Sequence, residues 1–96
     1  MKYLIVDGYL GGTGIRDKYK AGYLNPKDLK LSDDIVNQII IWLSKYKDAH
    51  HNGFNDLNIG NELDREGNEI AVKIKKELVH IKIEYFSAMR MTNETI

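Results

Sequence analysis

The chain has 96 residues, 43% apolar and 29% charged, with 14 basic and 14 acidic side chains and no cysteine. That length carries one hydrophobic core, since autonomous domains need on the order of 50 residues or more, and the composition excludes disordered, collagen-like and fibrous classes. A net charge of zero removes the long-range field of a dedicated nucleic-acid-binding domain, and the lack of cysteine removes disulfide frameworks and thiolate metal sites.

The longest strongly apolar runs, Tyr3 to Val6 and Ile39 to Leu43, fall far short of the roughly 20 residues of a membrane-spanning helix. The opening Met1-Lys2-Tyr3-Leu4-Ile5-Val6-Asp7 meets an acid before a signal-peptide core can develop. A cytoplasmic domain without membrane contact is expected.

Tyr3 to Val6 reads as a central strand, stopped by Asp7-Gly8. Gly8, Gly11, Gly12 and Gly14 then make the backbone too permissive for a long regular element. This segment is a loop or a hairpin tip. Ile15 to Leu24 has no clean period and is a second strand or an ordered loop, and Asn25-Pro26-Lys27-Asp28-Leu29 is turn chemistry. A first helix follows, with Ser32 as N-cap, Asp33 and Asp34 in its first turn, and Ile35, Val36, Ile39, Ile40, Leu43, Tyr46 and His50 at helical spacing. Trp42 flanks that stripe as a packing residue, and Asn52-Gly53 closes the helix through a left-handed cap.

Phe54 to Gly60 reads as a linker, with Asn61 capping a second helix whose first turn holds Glu62, Asp64 and Glu66 and whose last turn holds Lys73, Lys75 and Lys76. Its inner stripe is Leu63, Gly67, Ile70, Ala71, Ile74 and Leu78, where Gly67 signals close backbone packing. From Ile81 to Phe86 the apolar Ile81, Ile83 and Tyr85 alternate with His80, Lys82, Glu84 and Phe86, the pattern of a strand with one core face. The tail, residues 90–96, lacks a pattern and is expected to fray. These elements predict a single α/β domain over residues 1–96, a two-layer sandwich in which two helices pack on one face of a small sheet, with the first and last strands as neighbours.

No catalytic set is assembled in the sequence. The glycines fit neither GxGxxG nor GxxxxGK[ST], and no helical stripe follows them. His50 and His51 are adjacent, about 100° apart on a helix, whereas helical metal ligands sit at i, i+3 or i+4; with Asp56 and Glu62 they read as capping or surface groups. An acid–base site would need a histidine to converge with Asp7 and an acid of the second helix. Ser87 lacks the GxSxG turn of a serine nucleophile. The acids Asp48, Asp56, Glu62, Asp64 and Glu66 read as solvated capping charge. Neither a cofactor nor a metal is expected.

The surface signal lies elsewhere. Tyr9, Tyr19 and Tyr23 flank the glycines together with Arg16, and tyrosine with arginine on ordered loops is the composition of protein interfaces. The partner-binding set drawn from this edge is Tyr9, Thr13, Arg16, Asp17, Tyr19 and Tyr23. His51, Phe54 and Asp56 join it from the end of the first helix.

Gly12-Thr13-Gly14-Ile15-Arg16-Asp17, Trp42 through Tyr46, Asn52-Gly53-Phe54, Leu63-Asp64-Arg65-Glu66-Gly67 and Glu84-Tyr85-Phe86-Ser87 together carry a family likeness. The chain resembles small bacterial proteins encoded beside polymorphic toxins, including immunity proteins of contact-dependent growth inhibition systems. The resemblance implies a cytoplasmic, non-catalytic antitoxin that binds the C-terminal domain of a cognate toxin, often a nuclease, without cofactor, and is a monomer or weak dimer when free. One departure is the neutral net charge, since many immunity proteins are acidic; specific recognition then rests on local complementarity. The rival readings are a ligand-binding or enzymatic domain that uses the Gly8 to Gly14 loop and a histidine, and a homo-oligomeric adaptor that pairs its sheet with itself.

Overall fold

A computed structural model of the chain describes residues 2–20 and 22–96. Met1 and Ala21, which fall in the opening segment and in the Ile15 to Leu24 stretch read above, lie outside the described residues. The elements in order are β1 (Tyr3–Val6), β2 (Ile15–Asp17), a 3-10 turn (Pro26–Leu29), α1 (Asp33–His51), α2 (Leu57–Glu77), β3 (Lys82–Ser87) and β4 (Thr92–Thr95). The sheet order is β2-β1-β3-β4, with β1 and β3 parallel and both outer pairs antiparallel. Parallel neighbours need a long crossover, and the two helices supply it. They form the second layer of a two-layer α/β sandwich, as the hydrophobic pattern predicts.

Alternation decides the faces. Leu4 and Val6 of β1 and Ile83 and Tyr85 of β3 turn into the core, where Ile39, Trp42, Tyr46, Leu63, Ile70, Ala71 and Ile74 meet them from the helices. Trp42 is completely buried and its indole N–H donates to the Leu63 carbonyl at 2.9 Å, so it locks α1 to α2. Ile40, placed on the inner stripe by its spacing, is instead 58% exposed. Three isoleucines in succession, Ile39 to Ile41, span about 200° of a helix, and only one of them can face the core.

The helix ends follow local chemistry. Ser32 caps α1 by accepting from the Ile35 N–H at 3.4 Å, while its own N–H donates to the Glu77 carboxylate at 2.8 Å and so ties the end of α2 to the start of α1. At the other end Gly53, at φ +68°, donates to His50 O and Phe54 N donates to Ala49 O, the paired bonds of a Schellman motif.

The start of α2 differs from expectation. Asp56, and not Asn61, is the cap: its Oδ1 accepts from Asn58 N at 2.9 Å and Ile59 N at 3.3 Å. Gly60 reads as a turn signal but sits inside the helix, where a Cβ would collide with the Met89 sulfur. Glu62, Asp64 and Glu66 therefore lie beyond the first turn, which contains no acid. Gly67 does mark close packing, since a Cβ there would stand 2.7 Å from Tyr85 Cζ and 2.9 Å from Trp42 Cζ2.

The tail also corrects the sequence reading. Residues 92–95 form β4, paired with β3 from Glu84↔Thr95 to Ser87↔Thr92, and Ile96 N donates to Ile83 O at 3.0 Å. Every side chain of β4 is exposed, so the strand is held by backbone pairing and leaves no alternation to read.

β4 also helps to bury Glu84, which its parity had placed on the wet face. Lys18 Nζ reaches Glu84 Oε2 at 2.5 Å and the Asn93 amide donates to Oε1 at 3.0 Å. The hydrogen bond from Lys18, followed by that from the Tyr3 hydroxyl, holds the Glu84 carboxyl below the usual glutamate range. A depressed native pKa stabilises the fold above the unfolded value of roughly 4.3, and that contribution is lost as pH falls through the lowered native value. Wild type is therefore expected to exceed Glu84→Gln in urea midpoint at pH 6, with the gap closing below about pH 4; a gap that does not depend on pH would contradict the assignment.

Candidate functional site

The loop between β1 and β2 is anchored at its root and free at its tip. Asp7, on the parity of Tyr3 and Ile5, is 3% exposed. Its Oδ2 accepts from Arg16 Nε at 2.6 Å, and its Oδ1 accepts from the Tyr23 hydroxyl at 2.8 Å and from Tyr9 N–H at 3.2 Å. Burial, then the bond to Asp7, pushes the Tyr23 phenol pKa up, so it stays a neutral donor. Thr13 Oγ1 donates to Leu24 O at 2.5 Å and Ile15 O at 3.1 Å, and Asp7 N donates to Gly14 O at 3.0 Å. These bonds fasten the loop to β2 and to the segment beside it, where Arg16 bridges to Tyr23.

The tip, Tyr9 to Gly12, lies against the Tyr23 ring and is otherwise open to solvent. Gly12 N donates to Tyr9 O at 2.9 Å, and Gly11 takes φ +85° with nothing near its absent side chain. Tyr9 stacks on Tyr23 with ring centroids 6.0 Å apart and planes 15° from parallel, yet it is 64% exposed, beside a 47% exposed Leu10. Between the tip and α1 runs an open groove of about 710 Å³, walled by Gly8 to Gly12 and floored by Ile40, Leu43, Ser44, Lys47 and His51. The spacing of the floor residues, close to multiples of three and four, makes them one stripe along α1.

The sequence-selected residues divide by place. Tyr9 and His51 line the groove, while Arg16 and Tyr23 brace its wall from behind. Thr13 is occupied inside the loop base. Asp17 accepts from Tyr19 N and Lys20 N at 2.8 and 3.1 Å, and Tyr19 packs edge-on to Tyr3 at 5.9 Å, so this pair belongs to the far end of β2. Phe54 packs edge-on to Tyr46 and His50 at 5.5 and 4.9 Å, and Asp56 caps α2. His50 faces the loop itself, its Nε2 lying 3.3 Å from Gly8 O.

Leu10 and Lys47 were not selected from the sequence, and Ile40 and Leu43, read there as inner-stripe residues of the first helix, line the groove instead. The signal for Ile40 was the isoleucine run, which carries more apolar side chains than one helix face can bury.

A second polar cluster lies between α2 and the end of β3. Asp64 was expected to be a solvated junction acid but is buried, accepting from the Tyr85 hydroxyl at 2.7 Å and Ser87 Oγ at 2.9 Å, with Arg90 Nε 3.6 Å away. Its position on the inner side of α2 follows from its spacing, three residues before Gly67 and seven before Ala71. Among the described residues no buried side-chain polar atom lacks a partner and no group of three metal-ligating residues is assembled. No described helix is long and apolar enough to cross a membrane.

The fold and site together define a two-layer α/β sandwich with a rigidly rooted, tyrosine-bearing loop over a helical stripe. Comparison with protein-family models, curated proteins and solved structures gave no match to this chain.

Proposed function

We propose that this chain is a protein-binding domain, and that its partner is the toxic C-terminal domain of a bacterial polymorphic toxin, which it neutralises as a cytoplasmic immunity protein. The observation that carries the binding reading is the groove: Tyr9, Leu10 and Ile40 expose apolar surface around one concavity, the first two on a loop held rigid by Asp7, Arg16 and Tyr23 and the third on α1. Exposed aromatic and aliphatic anchors on a preformed backbone are the usual centre of a protein interface. The toxin as partner rests on the sequence resemblance. The buried carboxylates Asp7, Asp64 and Glu84 accept bonds from the protein's own donors, which favours a structural use of these acids over a catalytic one.

Mixing the chain with the toxin domain encoded by the adjacent gene is expected to give a stable heterodimer without toxicity. Leu10→Asp combined with Ile40→Glu should weaken it by at least about 100-fold, or roughly 3 kcal/mol, with thermal unfolding nearly unchanged because both side chains are exposed. Separately eluting wild-type proteins, or a heterodimer indifferent to both substitutions, would end this reading.

A further inference from the structure

We infer that the groove receives an acidic, apolar segment of a protein partner, about three helical turns long; the inference rests on the protein-binding reading above. The stripe is polarised along α1. Ile40 and Leu43 lie toward one end of the floor and Lys47 and His51 toward the other, with Leu10 on the loop wall. From position 40 to position 51 the axis advances about 16 Å, the length of a short amphipathic helix docked by apolar anchors.

Charge complementarity selects the occupant. Lys47 and His51 are the basic side chains among the lining residues, and both are exposed. No carboxylate lines the groove. An occupant with apolar side chains at one end and carboxylates one to two turns further on would bury the first against Ile40, Leu43 and Leu10 and place the second beside Lys47 and His51. A basic segment would meet Lys47 and find no carboxylate among the lining residues. Such a local match also suits a chain of zero net charge, because it needs no global field.

The test uses two acetylated, amidated amphipathic peptides of about 15 residues, identical in their leucines and differing only in carrying glutamate or lysine at the charged positions. Titrated into the full-length ¹⁵N-labelled protein, the glutamate peptide is expected to shift the amides of Gly11, Gly12, Leu43, Lys47 and His51. It should bind at least tenfold tighter than the lysine peptide, and more weakly as salt rises. The variant Lys47→Glu with His51→Glu should reverse the preference, and as both residues are exposed its spectrum should otherwise stay that of the folded protein.

Equal binding of the two peptides, shifts confined to other surfaces, or no shift with either overturns the inference. So does a single-stranded oligonucleotide or a second copy of the chain that takes the groove in preference to the glutamate peptide. The two readings fail separately. A toxin complex that forms but ignores the Lys47 and His51 reversals removes the acidic occupant and keeps the immunity function. Glutamate-peptide binding without any toxin complex does the opposite.

Discussion

Gly67→Ala is expected to destabilise the protein by about 1–3 kcal/mol, a drop in midpoint on the order of 10 °C for a domain of this size. On an open helix the same change would stabilise by about 0.8–1 kcal/mol, so the sign itself carries the information. The new methyl group would stand 2.7 Å from Tyr85 Cζ and 2.9 Å from Trp42 Cζ2. Neither ring is a loose end: the Tyr85 hydroxyl is tied to Asp64 at 2.7 Å and the Trp42 indole to Leu63 O at 2.9 Å. Relief therefore requires α2 to lift from the sheet and from α1 together. Thermal and urea unfolding check this, and an increase in stability would contradict the close approach of α2 to the aromatic layer.

Asp64→Ala should cost about 2–3 kcal/mol, because the nearly inaccessible Tyr85 hydroxyl would lose its acceptor while staying buried. Burial, then the bond to Asp64, pushes the Tyr85 phenol pKa up, so this hydroxyl cannot escape the penalty by ionising. Adding Tyr85→Phe to the Asp64→Ala variant removes the orphaned group and should recover part of the loss, whereas Tyr85→Phe in the wild type should cost stability. Unfolding free energies around that double-mutant cycle give the coupling directly. Additive effects, or a single Asp64→Ala change within about 0.5 kcal/mol of wild type, would show that the bond between α2 and β3 does not matter.

The layers of this fold were legible because burial imposes period. Tyr3 to Val6 and Ile81 to Phe86 alternate or run apolar as inner strands must, and α1 is bracketed by the Ser32 side chain at its start and by the backbone N–H groups of Asn52 and Gly53 at its end. Where period was missing the reading failed. β4 buries no side chain, so nothing in Thr92 to Thr95 separates a strand from a frayed end. The start of α2 was misplaced because Gly60 serves packing against Met89 and not a turn, and the burial of Asp64 was missed although its spacing to Gly67 and Ala71 puts it on the inner stripe. Loop composition pointed to Tyr9 and His51, but the wall and floor of the groove are a tertiary product. Leu10 and Lys47 line one groove, behind whose loop wall Asp7 holds Arg16 and Tyr23 together.

The central claim is that the groove between the glycine loop and α1 is the face that meets the toxin. Amide hydrogen exchange, compared between the free chain and its mixture with the toxin domain from the adjacent gene, tests this most directly. Slowed exchange is expected at Leu10 to Gly12 and along the Ile40 to His51 stretch of α1, with β4 and the outer side of α2 unchanged. Slowing restricted to β4 or outer α2, with the groove exchanging as in the free protein, would contradict it.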